Sequence, residues 1–166
     1  MCDWTTHLAI GWLITKTGKI PRTSFLIGCV LPDLIWIWSY VLSLFLDSKV
    51  VDALLRPSHT ILGALLLSIA ASMAFRNDVS RTFGSLFSGS LSHLFLDLLM
   101  KASPGYGIFL LWPFSWMGYA LNVISIFDPT PAIVSSALCI TVLLIERSSL
   151  LEREFGHTDL SSKLKT

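Results

Sequence analysis

Residues 82–100, TFGSLFSGSLSHLFLDLLM, decide how the rest of the chain is read. They run between Arg81 and Lys101 and carry one formal charge, Asp97, with His93 four residues before it. As a helix the stretch is about 28 Å long, close to the roughly 30 Å of a bilayer's hydrocarbon core. Positions i and i+4 share a helix face, with Cβ atoms about 5–6 Å apart, so His93 and Asp97 form a two-ligand face for one divalent ion. An ionised Asp in the middle of a membrane helix costs about 2.5–3.5 kcal/mol. It is expected to face the protein interior and to have a partner there.

Outward from this stretch, the same scarcity of charge recurs. Asp33 is the sole charge between Arg22 and Asp47, no formal charge lies between Arg56 and Arg76, and none lies from Pro129 to Ile145. Trp4–Thr15 is a shorter apolar run, about 18 Å as a helix. Hydrophobic residues make up 53% of the 166 and charged residues 14%, against roughly 25% charged in soluble domains. Mean hydropathy is +0.69. The expected fold is therefore all-α, a polytopic transmembrane helical bundle. It has about four spans, a half-span N-terminal helix, and a re-entrant or interfacial loop from Ala102 to Phe127. That loop is broken by Pro104, Gly105, Gly107, Pro113 and Gly118 and carries Tyr106, Trp112, Trp116 and Tyr119, rings that favour a membrane–water interface. Residues 1–146 form the membrane-embedded domain and 147–166 a polar C-terminal tail, to which His157 belongs.

Several classes are excluded. A net charge of +1 without a basic cluster is no nucleic-acid footprint. Cys2, Cys29 and Cys139 are too few and too scattered for a disulfide framework or a CxxC knuckle. The start, MCDWTTHLAIG, lacks the basic region of a cleavable signal peptide. With four spans, nine of the 12 Lys and Arg residues fall on one face, leaving Lys49, Arg56 and Lys101 on the other. The richer face is expected in the cytoplasm, with the C-terminus, in a cell (inner) membrane.

The polar residues inside the apolar stretches fall at similar depths. Measured from the nearest basic border residue, His7 lies about 14 Å up, Asp33 about 16 Å, His93 about 18 Å, Asp97 about 24 Å and His59 about 25 Å. Pro32 removes a backbone donor and frees the Gly28 carbonyl beside Asp33, and a helix broken there would line a polar cavity. Ser58 is the expected N-cap of the helix that follows. Asp3, Asp47, Asp52 and Asp128 read as solvated loop acids. One shared cation satisfies His7, Asp33, His59, His93 and Asp97 more completely than pairing among themselves. Nitrogen and carboxylate donors suit Zn²⁺ best, with Mn²⁺ or Fe²⁺ also fitting. Metal-assisted hydrolysis of a lipid or amphiphilic ester follows, with Asp33 orienting the water. Lys49, Arg56 or Lys101 would meet an anionic headgroup. Two other classes stay open. An intramembrane proton or ion relay also uses Asp and His, though no charge extends the polar level toward the cytoplasm. A non-catalytic membrane protein, with or without a structural metal, would need only packing, for which Gly63, Ala64, Ala70 and Ala71 suffice. The oligomeric state is left open.

The segments TTHLAIG (5–11), GCVLPD (28–33), SHT (58–60), GSLSHLFLD (89–97) and GIFLLWPF (107–114) occur in this order. Together they resemble the YdjM-like family of predicted membrane-bound metal-dependent hydrolases, over residues 5–116. The resemblance implies that His7, Asp33, His59, His93 and Asp97 are metal-site residues. The order His, Asp, His, His-x-x-x-Asp is also similar to that of zinc-dependent phospholipase C. By that analogy Asp33, His59, His93 and Asp97 hold one zinc, and Asp97 bridges to a second near His7. Three departures limit the likeness: Ile35 stands where the family often has an acid, Leu54 and Leu55 where many members carry a further His, and the later His-x-x-x-Glu is missing. One or two ions are implied, not three.

Overall fold

A computed structural model of the chain describes residues 4–18, 20–75, 78–101, 107–125 and 128–163, with side chains described as far as residue 149. Cys2, Asp3, Lys19, Arg76, Pro104, Gly105, Tyr106 and Lys165, and the side chains of Arg153, His157 and Lys163, lie outside the described residues.

The helices are α1 (Trp4–Thr17), α2 (Arg22–Trp36), α3 (Trp38–Leu42), α4 (Ser48–Leu55), a 3-10 turn (Arg56–His59), α5 (Ile61–Met73), α6 (Val79–Leu98) and α7 (Thr130–Lys163). No strand forms among the described residues. Single bridges, Ile108 to Tyr119 and Met100 to Ile124, fold the aromatic segment back on itself after α6. Short polar residues start the helices by satisfying their first free N–H groups. Asp47 accepts from the Lys49 N–H at 2.8 Å, and Asp78 from the Arg81 N–H at 3.2 Å. Asp128 accepts from the Thr130 N–H at 2.9 Å. The Thr130 hydroxyl and N–H together hold the exposed Asp128 carboxyl below the usual carboxylate range. Asp47 and Asp128 thus serve as caps, and Asp52 lies within α4, paired with Arg56, rather than in a loop.

The all-helical membrane class holds, but the number of spans differs from the expected four. Among the described residues, two helical segments are long and apolar enough to cross a bilayer, Arg22–Leu42 and Thr130–Ser149. Ser48–His59 and Ile61–Met73 qualify only as a pair, bent by 78°. The bend has a local cause. Thr60 leaves the helical region at φ −122°, ψ 160°, and its hydroxyl takes the Gly63 N–H at 2.9 Å. Thr60, not Ser58, is therefore the cap of α5, and the Ser58 hydroxyl donates back to the Leu55 carbonyl at 2.8 Å. α6 has 20 residues but is too polar to count as a span, because Ser85, Gly89, Ser90, His93 and Asp97 are buried against neighbouring helices.

This bundle is polar inside and apolar outside. Thr6, His7, Asp33, Ser68, Ser90, His93 and Asp97 are buried, while Ile133, Leu138, Ile140, Leu144 and Phe114 are exposed. That inversion of the soluble pattern suits a lipid surround, where polar groups are satisfied within the protein. At the centre α2 crosses α6 with backbones in close approach. A Cβ at Gly28 would collide with the Leu86 carbonyl, and one at Gly89 with the Phe25 carbonyl. Pro32 does not break α2, which continues to Trp36. The Gly28 carbonyl that Pro32 leaves free instead accepts the Ser90 hydroxyl of α6 at 3.1 Å. α7 docks on α1 through Lys16 and Glu146, 2.6 Å apart, and through the Cys139 thiol, 3.4 Å from the Ala9 carbonyl.

Candidate metal centre

Four elements each bring polar side chains to one point. α1 supplies His7, α2 supplies Asp33 just after Pro32, the 3-10 turn ends on His59, and α6 presents His93 and Asp97 from one face. His7 and His93 are fully buried, Asp33 and Asp97 nearly so. His59 is the most open member, with 12% of its side chain exposed.

All five residues selected from the sequence meet. His93 Nε2 lies 3.3 Å from Asp97 Oδ2, 3.4 Å from His59 Nε2 and 3.6 Å from Asp33 Oδ1. His59 Nε2 lies 3.0 Å from Asp33 Oδ1 and 3.7 Å from Asp97 Oδ2. His7 Nε2 approaches the other oxygen, Asp97 Oδ1, at 3.4 Å, and its ring stacks on His93 with centroids 4.0 Å apart. Donors about 2.0–2.1 Å from a tetrahedral ion stand roughly 3.3–3.5 Å from one another; three of these six separations fall in that range and the other three lie within about 0.3 Å of it. Among the described residues, two groups could hold a metal ion, His7 with Asp33 and His93, and His59 with His93 and Asp97. Neither His7 nitrogen has a hydrogen-bond partner, and Asp33 Oδ2 has none, although all three atoms are buried. Unpaired buried polar atoms are costly, and a cation would satisfy His7 and Asp33 together. The donor set therefore fits a divalent ion.

Two neighbours orient the imidazoles. The Cys29 carbonyl, 2.7 Å from His93 Nδ1, can only accept, so Nδ1 carries the proton and Nε2 offers its lone pair to the cluster. The Trp36 indole N–H can only donate, and it does so to His59 Nδ1 at 3.0 Å. The neutral His59 proton then sits on Nε2, pointing at Asp33. Binding an ion through that nitrogen displaces the proton, as ligand binding to metals generally does. Neither Trp36 nor the Cys29 carbonyl was selected from the sequence. The available signal was register, since 29, 33 and 36 are i, i+4 and i+7 on α2.

These features define an all-helical membrane protein whose interior holds a His and Asp cluster able to take a metal ion. Residues 2–155 match the YdjM inner membrane protein family. The chain belongs to that family, and its apolar helices agree with an inner-membrane location. No curated protein matches the chain, and no solved structure does.

Proposed function

We propose that the protein is an integral membrane metal-dependent hydrolase acting on a phosphodiester or other ester of an amphiphilic substrate. The observation that carries this reading is the buried cluster at ligand spacing, in which His7 and Asp33 keep unpartnered atoms. His7, Asp33, His59, His93 and Asp97 are its metal residues, and Zn²⁺ fits the donors best. One or two ions fit, since Asp97 turns one oxygen to His7 and the other to His93 and His59. Such a cation supplies a Lewis acid and a water acidified to a pKa of about 7. Asp33 would orient the attacking water and take its proton, and would return that proton to the departing oxygen as the ester bond breaks. The His93 proton on the Cys29 carbonyl keeps that ring from turning. The surrounding apolar helices exclude bulk water and admit an amphiphile from the side.

Metal analysis of the detergent-purified protein tests the centre. Stoichiometric zinc is expected in the wild type, with loss in His93→Ala and Asp97→Ala. Wild type without metal, or variants that retain it fully, would sink the reading. Hydrolysis is tested separately with phosphodiester and phospholipid substrates. A metal-loaded protein that cleaves none of them would make the ion structural.

A further inference from the structure

Beside the 3-10 turn lies a cleft of about 290 Å³ whose walls include Asp52, Arg56, Phe109, Trp112 and Trp116. The small-ligand range is roughly 300–1,000 Å³, so this volume suits a headgroup and not a whole two-chain lipid. We propose that the cleft recognises a zwitterionic phospholipid headgroup, a phosphodiester carrying an ammonium. This rests on the hydrolase reading and names the substrate class of that same site.

Three observations converge on this ligand. First, the charges of the cleft are balanced: Arg56 is ion-paired with Asp52 one turn away on α4, and its guanidinium lies over Phe109, 5.0 Å from the ring centroid. A ligand of a single sign would part this pair and strand one member. A zwitterion meets both, with its phosphate on Arg56 and its ammonium toward Asp52. Second, the aromatic walls form a corner. Trp112 and Trp116 meet edge to face at 6.3 Å and 86°, and Phe109 meets Trp116 at 6.4 Å and 68°. Aromatic faces set at angles attract ammonium groups. Third, the cleft shares its turn with the metal centre. Arg56 and Pro57 line the cleft, and His59, the most open of the five site residues, ends the same turn. The aromatic segment is clamped there by the Ile61 N–H on the Leu110 carbonyl at 3.1 Å. Outside the cleft, exposed Leu111 and Phe114 offer the acyl chains an apolar bed.

The test is calorimetric titration of the full-length protein in maltoside micelles. The probes are dihexanoyl phosphatidylethanolamine, dihexanoyl phosphatidylglycerol and free phosphoethanolamine. The zwitterionic lipid is expected to bind about tenfold more tightly than the anionic one, and free phosphoethanolamine to bind more weakly than the lipid. Asp52→Asn should remove the preference by weakening only the zwitterionic lipid, and Trp112→Leu should weaken it too. Equal affinities, an anionic preference, a preference untouched by Asp52→Asn, or phosphoethanolamine binding as tightly as the lipid would each overturn the proposal. Binding is read without turnover in His93→Ala protein, in which the metal centre is broken. A missing preference thus counts against the cleft alone, while metal content and ester cleavage judge the hydrolase reading.

Discussion

Trp36 gives the metal centre its sharpest test at the scale of single residues. Its indole donates to His59 Nδ1, which favours the tautomer whose Nε2 is protonated and opposes coordination there. Trp36→Phe frees Nδ1 to carry the proton. Zinc affinity, measured by competition with a chelator, is expected to rise about tenfold, the lower end of outer-shell effects. An unchanged affinity would mean that His59 does not ligate through Nε2. His7→Ala should reduce metal content, and because it also removes a fully buried ring that stacks on His93 and faces Asp97, it should cost the metal-free protein about 2–5 kcal/mol, as core truncations do. Metal content unchanged in the variant would contradict this. The five polar residues were legible in the sequence because a charge or imidazole inside an apolar stretch is conspicuous. Trp36 is legible only as sharing a face of α2 with Cys29 and Asp33; its role is not, because an aromatic residue at the end of an apolar helix is ordinary until its indole finds a partner from another element.

Among the elements, the α2–α6 crossing sets how far apart Asp33 and His93 stand. Gly28 and Gly89 allow the backbones to touch, and the carbonyl left free by Pro32 holds Ser90. Gly89→Ala must push the helices apart and is expected to cost about 1–3 kcal/mol, as overpacking generally does, with metal lost in parallel. Ser90→Ala removes one interhelical hydrogen bond and should cost about 0.6 kcal/mol. Unfolding in mixed micelles, with metal content measured on the same samples, separates the two effects. The freed Gly28 carbonyl was readable from Pro32, but its partner was not, since Ser90 lies far along the chain. The span count failed for a related reason. Scarcity of charge counts the Ser-rich α6 as a span, although its Ser, Gly, His and Asp residues leave it too polar for one. It also cannot foresee the 78° bend before α5, which Thr60 and the Pro57 carbonyl build through hydrogen bonds to the chain around them.

For the whole molecule, α7 is the outermost element, apolar toward its surroundings and fastened to α1 by Lys16 and Glu146. The pair is partly exposed, at 21% and 46%. A double-mutant cycle with Lys16→Met and Glu146→Gln should therefore give a coupling of only about 0.5 kcal/mol. The Lys and Arg bias read on four spans predicts a cytoplasmic C-terminus, which labelling tests. With the native cysteines replaced, Met117→Cys should react with an impermeant maleimide in intact cells, and Ser149→Cys only after permeabilisation. The reverse pattern would invert the proposed topology. The order of the site residues along the chain also bears on how the protein is made. Asp33 precedes His59, His93 and Asp97 along the chain and so enters the bilayer in α2 ahead of them, carrying a penalty of about 2.5–3.5 kcal/mol if ionised. Of the other four site residues, only His7 on α1 precedes it in the chain. The centre closes only when α6 arrives some sixty residues later, so a nascent chain cut short before Asp97 would leave a half-built acid pocket in the membrane, a ready mark for quality-control proteolysis.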